Sequence, residues 1–344
     1  MNQALNSFDD PWPDLDGKSV MVTGGTGSFG QAFVRVVLDN FEPARLVVFS
    51  RDEMKQYEMA QGQDGDRYSC MRYFIGDVRD VDRLEMAMRG IDIVIHAAAL
   101  KHVPAAEYNP FECIHTNVMG AENIVKAAIR CRVEKVIALS TDKAANPINL
   151  YGASKLAADK IFVAANHLSA DVRPSFSVVR YGNVLGSRGS VVPLFKRLIA
   201  EGAAHLPVTD DRMTRFWITL PQGVRFVLSS LAMMKGGEIF VPKIPSTKIV
   251  AVAGALAPGL PIKIIGIRPG EKLHEVLITE DDARTTLDLG DRYVIEPALS
   301  FWEPDQFAEL NPKPVRDGFR YGSDTNEDLL GEDGLRAILT GPDA

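Results

Sequence analysis

The sequence predicts a doubly wound α/β fold, in which helices cover both faces of a mostly parallel sheet. From Lys18 to about Arg180, short apolar runs rich in Val and Ile alternate with segments long enough for crossover helices. A glycine-rich turn follows the first run, where the first strand should meet the first helix. The runs predict six buried strands: Ser19–Thr23, Leu46–Phe49, Tyr73–Ile75, Ile91–Ala97, Val136–Leu139 and Phe176–Val179.

The composition is that of an ordinary globular protein, with 24% charged and 46% hydrophobic residues. A net charge of −7 argues against a dedicated nucleic-acid binder, but it leaves room for a phosphorylated small molecule. Three cysteines without CxxC spacing and scattered histidines predict a reducing compartment and no metal site. The N-terminus has no signal-peptide pattern, and no apolar stretch reaches the roughly 20 residues of a membrane helix. We therefore predict a cytoplasmic protein without a nucleic-acid or membrane partner.

The turn after the first strand has three glycines at regular spacing between a strand and a helix. Glycine lets the backbone turn tightly and approach a pyrophosphate, which then lies on the amides at the helix N-terminus. The alternative is a plain tight turn. The predicted dinucleotide contacts in this turn are Gly24, Gly27, Ser28, Phe29 and Gly30.

The end of the second strand predicts which dinucleotide is bound. An NAD-preferring site usually places an acid there to hold the ribose 2′-hydroxyl, whereas this chain has Ser50 and Arg51, which suit a 2′-phosphate. We therefore predict NADP. The alternative is structural, with Ser50 and Glu53 forming a helix capping box and Arg51 a solvated charge.

Two further strand ends are predicted to contact the cofactor. Asp77 and Val78, after the third strand, could bracket the adenine, and the alternative for Asp77 is a helix N-cap. Ala97, Ala98 and Ala99, after the fourth strand, are small enough for a cofactor to lie against the backbone, and the alternative is tight packing.

These features divide the chain. We expect residues 1–17 to be an extension that precedes the fold and residues 18–181 to be an NADP-binding Rossmann domain. After Tyr181, Gly and Pro become frequent, so residues 182–330 should form mainly a smaller α/β substrate lobe. Segments such as 221–241 should return to the main sheet. The tail, 331–344, contains one short helical pattern, Asp333–Leu339.

The segment around residue 150 contains the groups best suited to catalysis. Tyr151 and Lys155 are four residues apart, so on a helix they share one face. An ammonium beside a phenol favours the phenolate and should lower the tyrosine pKa from about 10. Such a phenolate is a good base for a hydroxyl that is losing hydride. Thr141, Asp142 and Lys143, just upstream, could add further proton transfers in the same site.

Four motifs together resemble those of the extended short-chain dehydrogenase/reductases: TGGTGSFG, HAAA, YGASK and RYGNV. Longer segments closely resemble one subfamily, the inverting UDP-N-acetylglucosamine 4,6-dehydratases that open routes to pseudaminic acid and related L-sugars. These segments are LKHVPAAEYNPFE, STDKAANPINLYGASK, RYGNVLGSRGSVVPLF, MTRFWIT, GGEIFVPKIPS and IGIRPGEKLHE. The resemblance covers nearly all of residues 18–330, including YGSDTN at 321–326.

The resemblance implies a role for each catalytic residue. Tyr151 would take the C4 hydroxyl proton while hydride passes to NADP⁺, and Lys155 would hold the nicotinamide ribose. Thr141 would bind the C4 oxygen. Lys143 would remove the C5 proton and return one from the opposite face, and Asp142 would protonate the departing C6 hydroxyl. The cofactor would then return its hydride to C6 and stay tightly bound. Retaining relatives commonly have Asp-Glu where this chain has Asp142-Lys143, so the lysine favours inversion.

The resemblance also implies contacts with the UDP-sugar. Arg215 and Arg268 could each grip a phosphate, Glu271 could accept from the ribose hydroxyls, and Asn183 would contact the diphosphate or sugar. The alternative for both arginines is a salt bridge bordering the core. Lys101 should contact cofactor or substrate, or only shape the pocket.

Several residues and readings remain open. His102 should border the sugar pocket, Asn117 could hold a water near the tyrosine or cap backbone groups, and His96 should be a satisfied core histidine. A UDP-hexose 4-epimerase, a retaining dehydratase and an NADP-sensing binding protein are the rival functions. Relatives are commonly dimers or hexamers, so we also expect a homo-oligomer.

Overall fold

The computed structural model describes residues 6–62, 68–168, 174–187, 189–298, 302 and 305–340. The strands within these ranges are β1 (Ser19–Thr23), β2 (Arg45–Ser50), β3 (Met71–Ile75), β4 (Ile93–His96), β5 (Lys135–Thr141), β6 (Ser175–Tyr181), β7 (Asn183–Val184), β8 (Leu206–Val208), β9 (Thr214–Ile218), β10 (Ile239–Pro242), β11 (Ser246–Lys248), β12 (Ile262–Ile264), β13 (Val276–Ile278), β14 (Thr286–Asp288), β15 (Arg292–Ile295), β16 (Lys313–Pro314) and β17 (Tyr321–Gly322).

The main sheet confirms the predicted fold class. Its strand order is β16-β14-β15-β10-β6-β5-β4-β1-β2-β3, and every pair from β3 to β10 is parallel. The strand order reverses between β1 and β4, which is where open α/β sheets bind ligands at the carboxyl ends of their strands. All six predicted strands are present, and β1 has the predicted bounds. The antiparallel strands β14, β15 and β16 extend the sheet beyond β10.

Helices cover both faces of this sheet and support the smaller sheets. They are α1 (Ser28–Asn40), α2 (Glu53–Gln61), α3 (Val81–Met88), α4 (Val103–Tyr108), α5 (Pro110–Ile114), α6 (Gly120–Cys131), α7 (Leu150–Ala165), α8 (Val191–Ala200), α9 (Leu220–Met233), α10 (Ile249–Leu256) and α11 (Glu332–Thr340). A π-helical turn, His115–Met119, joins α5 to α6, and a 3₁₀ turn, Asp142–Ala144, follows β5.

A second, smaller core lies among α8, α10 and α11. It is built on the short sheets β11-β9-β7 and β12-β8, and it contains Phe195, Trp217 and Val252. Helix α11 lies within a residue of the predicted tail helix at each end, and its Leu335 and Leu339 are buried in this core. No helix among the described ranges is both long enough and apolar enough to cross a bilayer.

The N-terminal segment corrects one expectation. The sequence predicts an extension over residues 1–17 that precedes the fold, whereas Phe8 and Leu15 are buried in the main core. The Phe8 ring meets Phe226 of α9 edge-on at 4.9 Å between centroids, and Trp12 packs on Phe41 at 5.6 Å. Residues from Asn6 onward therefore belong to the folded body, because their apolar side chains cover α9 and the end of α1.

Candidate active site

The glycine turn between β1 and α1 is shaped for close backbone approach. Gly24 has φ +65°, and a Cβ there would lie 2.9 Å from the Ala98 amide nitrogen. A Cβ on Gly30 would lie 2.4 Å from the Gly25 Cα. Gly27 is the N-cap of α1, so no capping side chain stands over the amides of the first turn, which includes Ser28 and Phe29. The structure thus brings the glycines, the start of α1 and the alanines after β4 together at the switch point of the sheet.

The end of β2 carries the residues predicted to read the 2′ position. Ser50 Oγ accepts from Gln56 Nε2 at 3.0 Å, and the exposed Arg51 places its Nη1 3.6 Å from Asp77 Oδ2. The N-cap of α2 is Asp52, which accepts from the Lys55 amide at 3.0 Å. The capping-box alternative for Ser50 is therefore wrong.

Asp77 and Val78 occupy the turn after β3. Asp77 accepts from the Arg79 amide at 2.9 Å and from its guanidinium at 2.7 Å. The N-cap of α3 is Asp80, so the N-cap alternative for Asp77 is also wrong. Val78 is buried, and its carbonyl oxygen accepts from Asn123 of α6 at 3.1 Å. Asp77 is thus the anion that two arginines share.

Helix α7 and the 3₁₀ turn after β5 bring the proton-transfer residues together. Asn149 caps α7 by accepting from the Gly152 amide at 2.8 Å, so Tyr151 and Lys155 fall in its first two turns. A Cβ on Gly152 would lie 2.2 Å from the Lys143 carbonyl oxygen. Because position 152 is glycine, the 3₁₀ turn can lie directly on α7.

Three charged side chains form the centre of this cluster. Lys143 Nζ lies 3.0 Å from Asp142 Oδ1 and 3.1 Å from Glu275 Oε1, and both carboxylates are 1% exposed. Thr141 Oγ1 donates to Asp142 Oδ1 at 2.9 Å. Burial alone would lower the pKa of Lys143, but the two carboxylates raise it above its usual range. Burial raises the pKa of Asp142, although the ammonium beside it acts in the opposite direction.

The environment of Tyr151 corrects the expected direction of its pKa. Burial raises the pKa of Tyr151 to about 12, and the charge of Lys143 and a hydrogen bond with Thr141 offset only part of this shift. The cation that acts most on the pKa of Tyr151 is Lys143. Lys155 instead interacts with the Asp159 carboxylate, while burial lowers the pKa of its own ammonium. The i, i+4 spacing placed the two side chains on one face correctly, but it did not reveal the burial of the phenol.

A buried ionic network behind Lys155 was missed by sequence reasoning. Asp159 Oδ2 accepts from Ser140 Oγ at 2.8 Å and lies 3.4 Å from Arg180 Nη2. Arg180 Nη1 in turn lies 3.4 Å from Asp282 Oδ2, and Asp159 and Arg180 are each 2% exposed. Only the position of Asp159, one helical turn beyond Lys155, could have suggested this network.

Glu275 was also missed, although it ends the IGIRPGEKLHE segment. Besides Lys143, its carboxylate lies 3.7 Å from Arg215 Nε and 3.8 Å from Lys272 Nζ. Arg215 donates to the carbonyl oxygens of Thr214 and Leu273 at 2.7 and 3.1 Å, and to that of Lys272 at 2.9 Å. These contacts fit the alternative given for Arg215, a salt bridge bordering the core, better than a free phosphate grip.

The remaining residues predicted to bind substrate lie nearer the surface. Arg268 is exposed, and its amide donates to Glu271 Oε2 at 3.3 Å. The Gly270 carbonyl between them accepts from Asn149 Nδ2 at 2.7 Å, which docks this segment onto the start of α7. Asn183 Oδ1 is buried and has no hydrogen-bond partner among the described residues.

Lys101 and His102 follow the alanines and are both exposed. A Cβ on Gly189 would lie 2.5 Å from His102 Cε1, so His102 lies against the segment that leads into α8.

Asn117 and His96 have structural partners. Asn117 accepts from the Leu100 amide at 2.8 Å and donates to the Leu100 carbonyl at 2.9 Å, so it caps backbone groups. It also lies 2.9 Å from Ser154 Oγ of α7. His96 is buried with Nδ1 2.9 Å from Thr23 Oγ1, and burial lowers its pKa to about 3. His96 is therefore a satisfied core histidine.

Comparison with known proteins gives a consistent result. The family described as polysaccharide biosynthesis protein matches residues 20–297. A UDP-N-acetylglucosamine 4,6-dehydratase (inverting) from Campylobacter jejuni is 55% identical over 330 residues, which are 94% of this chain and 98% of the relative. A UDP-glucose 4-epimerase from Rickettsia canadensis is 42% identical, over 81% of this chain and 82% of the relative. The X-ray structure of Pen from Bacillus thuringiensis is 36% identical with a TM-score of 0.85, and the match covers 94% of this chain and 98% of Pen.

Proposed function

The chain belongs to the polysaccharide biosynthesis protein family and, within it, to the inverting UDP-N-acetylglucosamine 4,6-dehydratases, and from this premise we propose how its residues carry out the reaction. It converts UDP-N-acetylglucosamine to UDP-2-acetamido-2,6-dideoxy-β-L-arabino-hex-4-ulose by C4 oxidation, loss of the C6 hydroxyl and inversion at C5. We assign it to the hydro-lyases. The observation that supports these roles best is the ion pair of Lys143 with the buried Asp142. Thr141 connects this pair to the phenol, because it hydrogen-bonds both Asp142 and Tyr151.

The cofactor proposed is NADP, and the glycine turn fits a dinucleotide. Side chains at Gly24 or Gly30 would fill the space through which a pyrophosphate reaches the backbone. The N-terminus of α1, with its free amides and the positive end of the helix dipole, faces the same turn and favours an anion there. Arg51 is exposed at the end of β2 and can turn from Asp77 toward a 2′-phosphate. When bound, the dinucleotide supplies the acceptor and later donor of hydride, and its oxidised ring adds a positive charge that favours phenolate.

Tyr151 begins the reaction by taking the C4 hydroxyl proton. Thr141, hydrogen-bonded to the phenol and to Asp142, is placed to bind the C4 oxygen. The negative charge of Asp159 favours the ammonium form of Lys155, which is assigned to the nicotinamide ribose. The ketone formed at C4 makes the C5 proton acidic, which is what the elimination requires.

Lys143 and Asp142 carry the elimination. Lys143 rests as an ammonium, so it must lose a proton before it can act as a base at C5. Asp142 Oδ1, 3.0 Å away, accepts that proton along the existing hydrogen bond. The transfer leaves a neutral amine to remove the C5 proton and a neutral acid to protonate the C6 hydroxyl. Burial favours this neutral pair over two separated charges.

The UDP end of the substrate is assigned to the segment docked on α7 and to β7. Arg268 offers an exposed guanidinium for a phosphate, and Glu271 offers a carboxylate for the ribose hydroxyls. Asn183, at the start of the smaller lobe, has a side-chain oxygen without a hydrogen-bond partner in the part of the chain that the structure describes. Lys101 is proposed to contact the substrate or the cofactor.

We also propose that the protein works as a homo-oligomer, either a dimer or a hexamer. Helices α4 and α5 and the π-helical turn expose Tyr108, Phe111 and Met119 at 87, 78 and 44%. Aromatic groups this exposed, close together in the chain, are typical of surfaces that bind another protein.

The reaction is tested with UDP-N-acetylglucosamine deuterated at C4, followed by NMR, with Tyr151→Phe as the control variant. The proposed route gives a 4-keto-6-deoxy product that carries the label in its new methyl group and has the L configuration at C5. UDP-N-acetylgalactosamine would indicate an epimerase, the D configuration a retaining dehydratase, and bound NADP(H) without turnover a sensor. A product with no label in the methyl group would contradict the hydride return.

A further inference from the structure

Glu275 is a fully buried carboxylate to which the mechanism above gives no role. It is 1% exposed and lies just before β13, far along the chain from the other proton-transfer residues. Its amide donates to Ser323 Oγ at 2.9 Å, and its carbonyl oxygen accepts from the Ser323 amide at 2.8 Å. The backbone of Glu275 is therefore fixed independently of its side chain.

The Glu275 side chain is directed at the catalytic lysine. Oε1 lies 3.1 Å from Lys143 Nζ, which also lies 3.0 Å from Asp142 Oδ1. Lys272 Nζ donates to the Ala145 carbonyl oxygen at 2.6 Å, so it ties the Glu275 segment to the 3₁₀ turn. Lys143 thus contacts two carboxylates. Asp142 belongs to the same 3₁₀ turn as Lys143, whereas Glu275 comes from a distant segment of the chain.

We propose, on the basis of the function above, that Glu275 is a positioning residue that clamps Lys143 and acts as the permanent anion of the site, keeping a proton on the Asp142–Lys143 pair. Two carboxylates on one ammonium cannot play the same part, because like charges in a buried site raise each other's proton affinity. Among the described residues, Glu275 has three cations in ion-pair contact, whereas Asp142 has only Lys143.

The proton affinities of the two carboxyls agree with this division. Burial would raise the pKa of Glu275, but Lys143, Arg215 and Lys272 hold it below its usual value. Burial raises the pKa of Asp142, and the negative charge of Glu275 raises it further. Within the described ranges, the charged and titratable groups that contact this cluster or act on it are Lys143, Asp142, Arg215, Lys272, Glu271 and Tyr151. His274, next to Glu275 in the chain, instead has Nδ1 2.8 Å from Thr214 Oγ1.

The test compares Glu275→Gln with Glu238→Gln, a control at a buried glutamate outside the site. Glu238 is fully buried and accepts from Ser177 Oγ and from the Lys235 and Gly236 amides, each at 2.8 Å. In Glu275→Gln, loss of the anion lowers the proton affinity of the Asp142–Lys143 pair. We expect kcat to fall about 100-fold with KM within about threefold, and both limbs of the pH–rate profile to move to lower pH. In Glu238→Gln the limbs should stay in place.

A rate loss with unmoved limbs would reduce Glu275 to a structural residue and overturn the proposal, as would an unchanged rate. If Glu275→Gln does not fold, Glu275→Asp keeps the anion but draws it back from Lys143. That variant should lose about tenfold in kcat while its limbs stay at the wild-type pH, and wild-type kcat would overturn the clamp.

A readout without turnover separates this proposal from the assigned reaction. Difference infrared spectroscopy detects the protonated carboxyl of Asp142, identified by its loss in Asp142→Asn. We expect this band to titrate at lower pH in Glu275→Gln than in the wild type. If the wild type made no 4-keto product, the reaction would be refuted, whereas an unshifted band would refute the role of Glu275.

Discussion

Replacing Lys143 with Met is the most demanding test of the elimination step. The change removes the proposed base and leaves the buried carboxylates of Asp142 and Glu275 without the ammonium that both contact. General acid–base catalysis contributes about 10²–10⁴-fold, so C5 deuterium incorporation from heavy water should slow by about 10³-fold. Proton removal from the C4 hydroxyl, which we assign to Tyr151, should slow much less, through loss of the Lys143 charge that offsets part of the rise in the tyrosine pKa.

The same change has a pH-dependent effect on stability. Removing one partner of a buried ion pair costs about 3–5 kcal/mol, because the remaining charge stays buried. The pKa of Asp142 is already raised by burial and rises further without the ammonium. Below about pH 4, Asp142 is protonated in both the folded and the unfolded chain, so its part of the deficit vanishes. The deficit should grow as the pH rises through the raised pKa of Asp142, and urea denaturation at several pH values measures it.

Lys143→Arg separates charge from basicity. Arginine keeps the positive charge between the carboxylates, but it does not lose its proton in proteins. This variant should recover most of the stability lost in Lys143→Met and none of the C5 exchange. C5 exchange at the wild-type rate in either variant, followed by proton NMR, would refute the assignment of Lys143 as the base.

Four further changes test the cofactor site, the buried network and the oligomer. Gly30→Ala puts a Cβ 2.4 Å from a backbone atom, so it should lower the free energy of unfolding by about 1–3 kcal/mol and abolish dinucleotide binding. Gly254→Ala, with nothing within 4 Å of its Cβ, is the control and should change neither the thermal melt nor the dinucleotide titration. Arg51→Ala should weaken NADP⁺ binding about tenfold and NAD⁺ binding less than about twofold by fluorescence titration, and equal losses would argue for NAD. Asp159→Asn removes the buried carboxylate beside Arg180, which keeps Asp282 as a partner, and should cost about 3 kcal/mol by urea denaturation, and an unchanged midpoint would count against the network. Phe111→Glu should reduce the mass found by sedimentation, and an unchanged mass would place the interface elsewhere.

The fold was largely predictable because its signals are local. Val and Ile runs alternating with helical segments locate the six parallel strands, and the observed strands differ mainly by polar residues at their ends. Ser140 and Thr141 extend β5 because they pair with Arg180 and Tyr181 of β6, a contact that composition does not report. The contacts of the N-terminal segment were not predictable for a similar reason, since an isolated Phe8 has no periodic context.

The site was predictable only where its geometry is local. The spacing of Tyr151 and Lys155 fixes their shared face, and Lys143 lies beside Asp142 in the chain. The partners that set the charges of the site come from distant segments: Glu275, beside Lys143, precedes β13, and Arg180, beside Asp159, lies in β6. Burial, which raises the pKa of the phenol, is likewise a property of the assembled fold.

Gly152 links the oxidation and elimination halves of the reaction. In the proposed mechanism, oxidation depends on α7, which carries Tyr151, and elimination depends on the 3₁₀ turn, which carries Lys143. A Cβ at position 152 would lie 2.2 Å from the Lys143 carbonyl oxygen, so any other residue would push the turn away from the helix. We propose that the phenol acts at C4 and the amine at the adjacent C5, so both must reach neighbouring carbons of one sugar without a shift of the substrate. A displacement of even 1 Å between turn and helix would cost one of the two steps its alignment, because proton transfer requires contact at hydrogen-bond distance. Gly152, the glycine of YGASK, is thus needed so that both proton transfers can take place on one bound substrate. Neither transfer alone would require it.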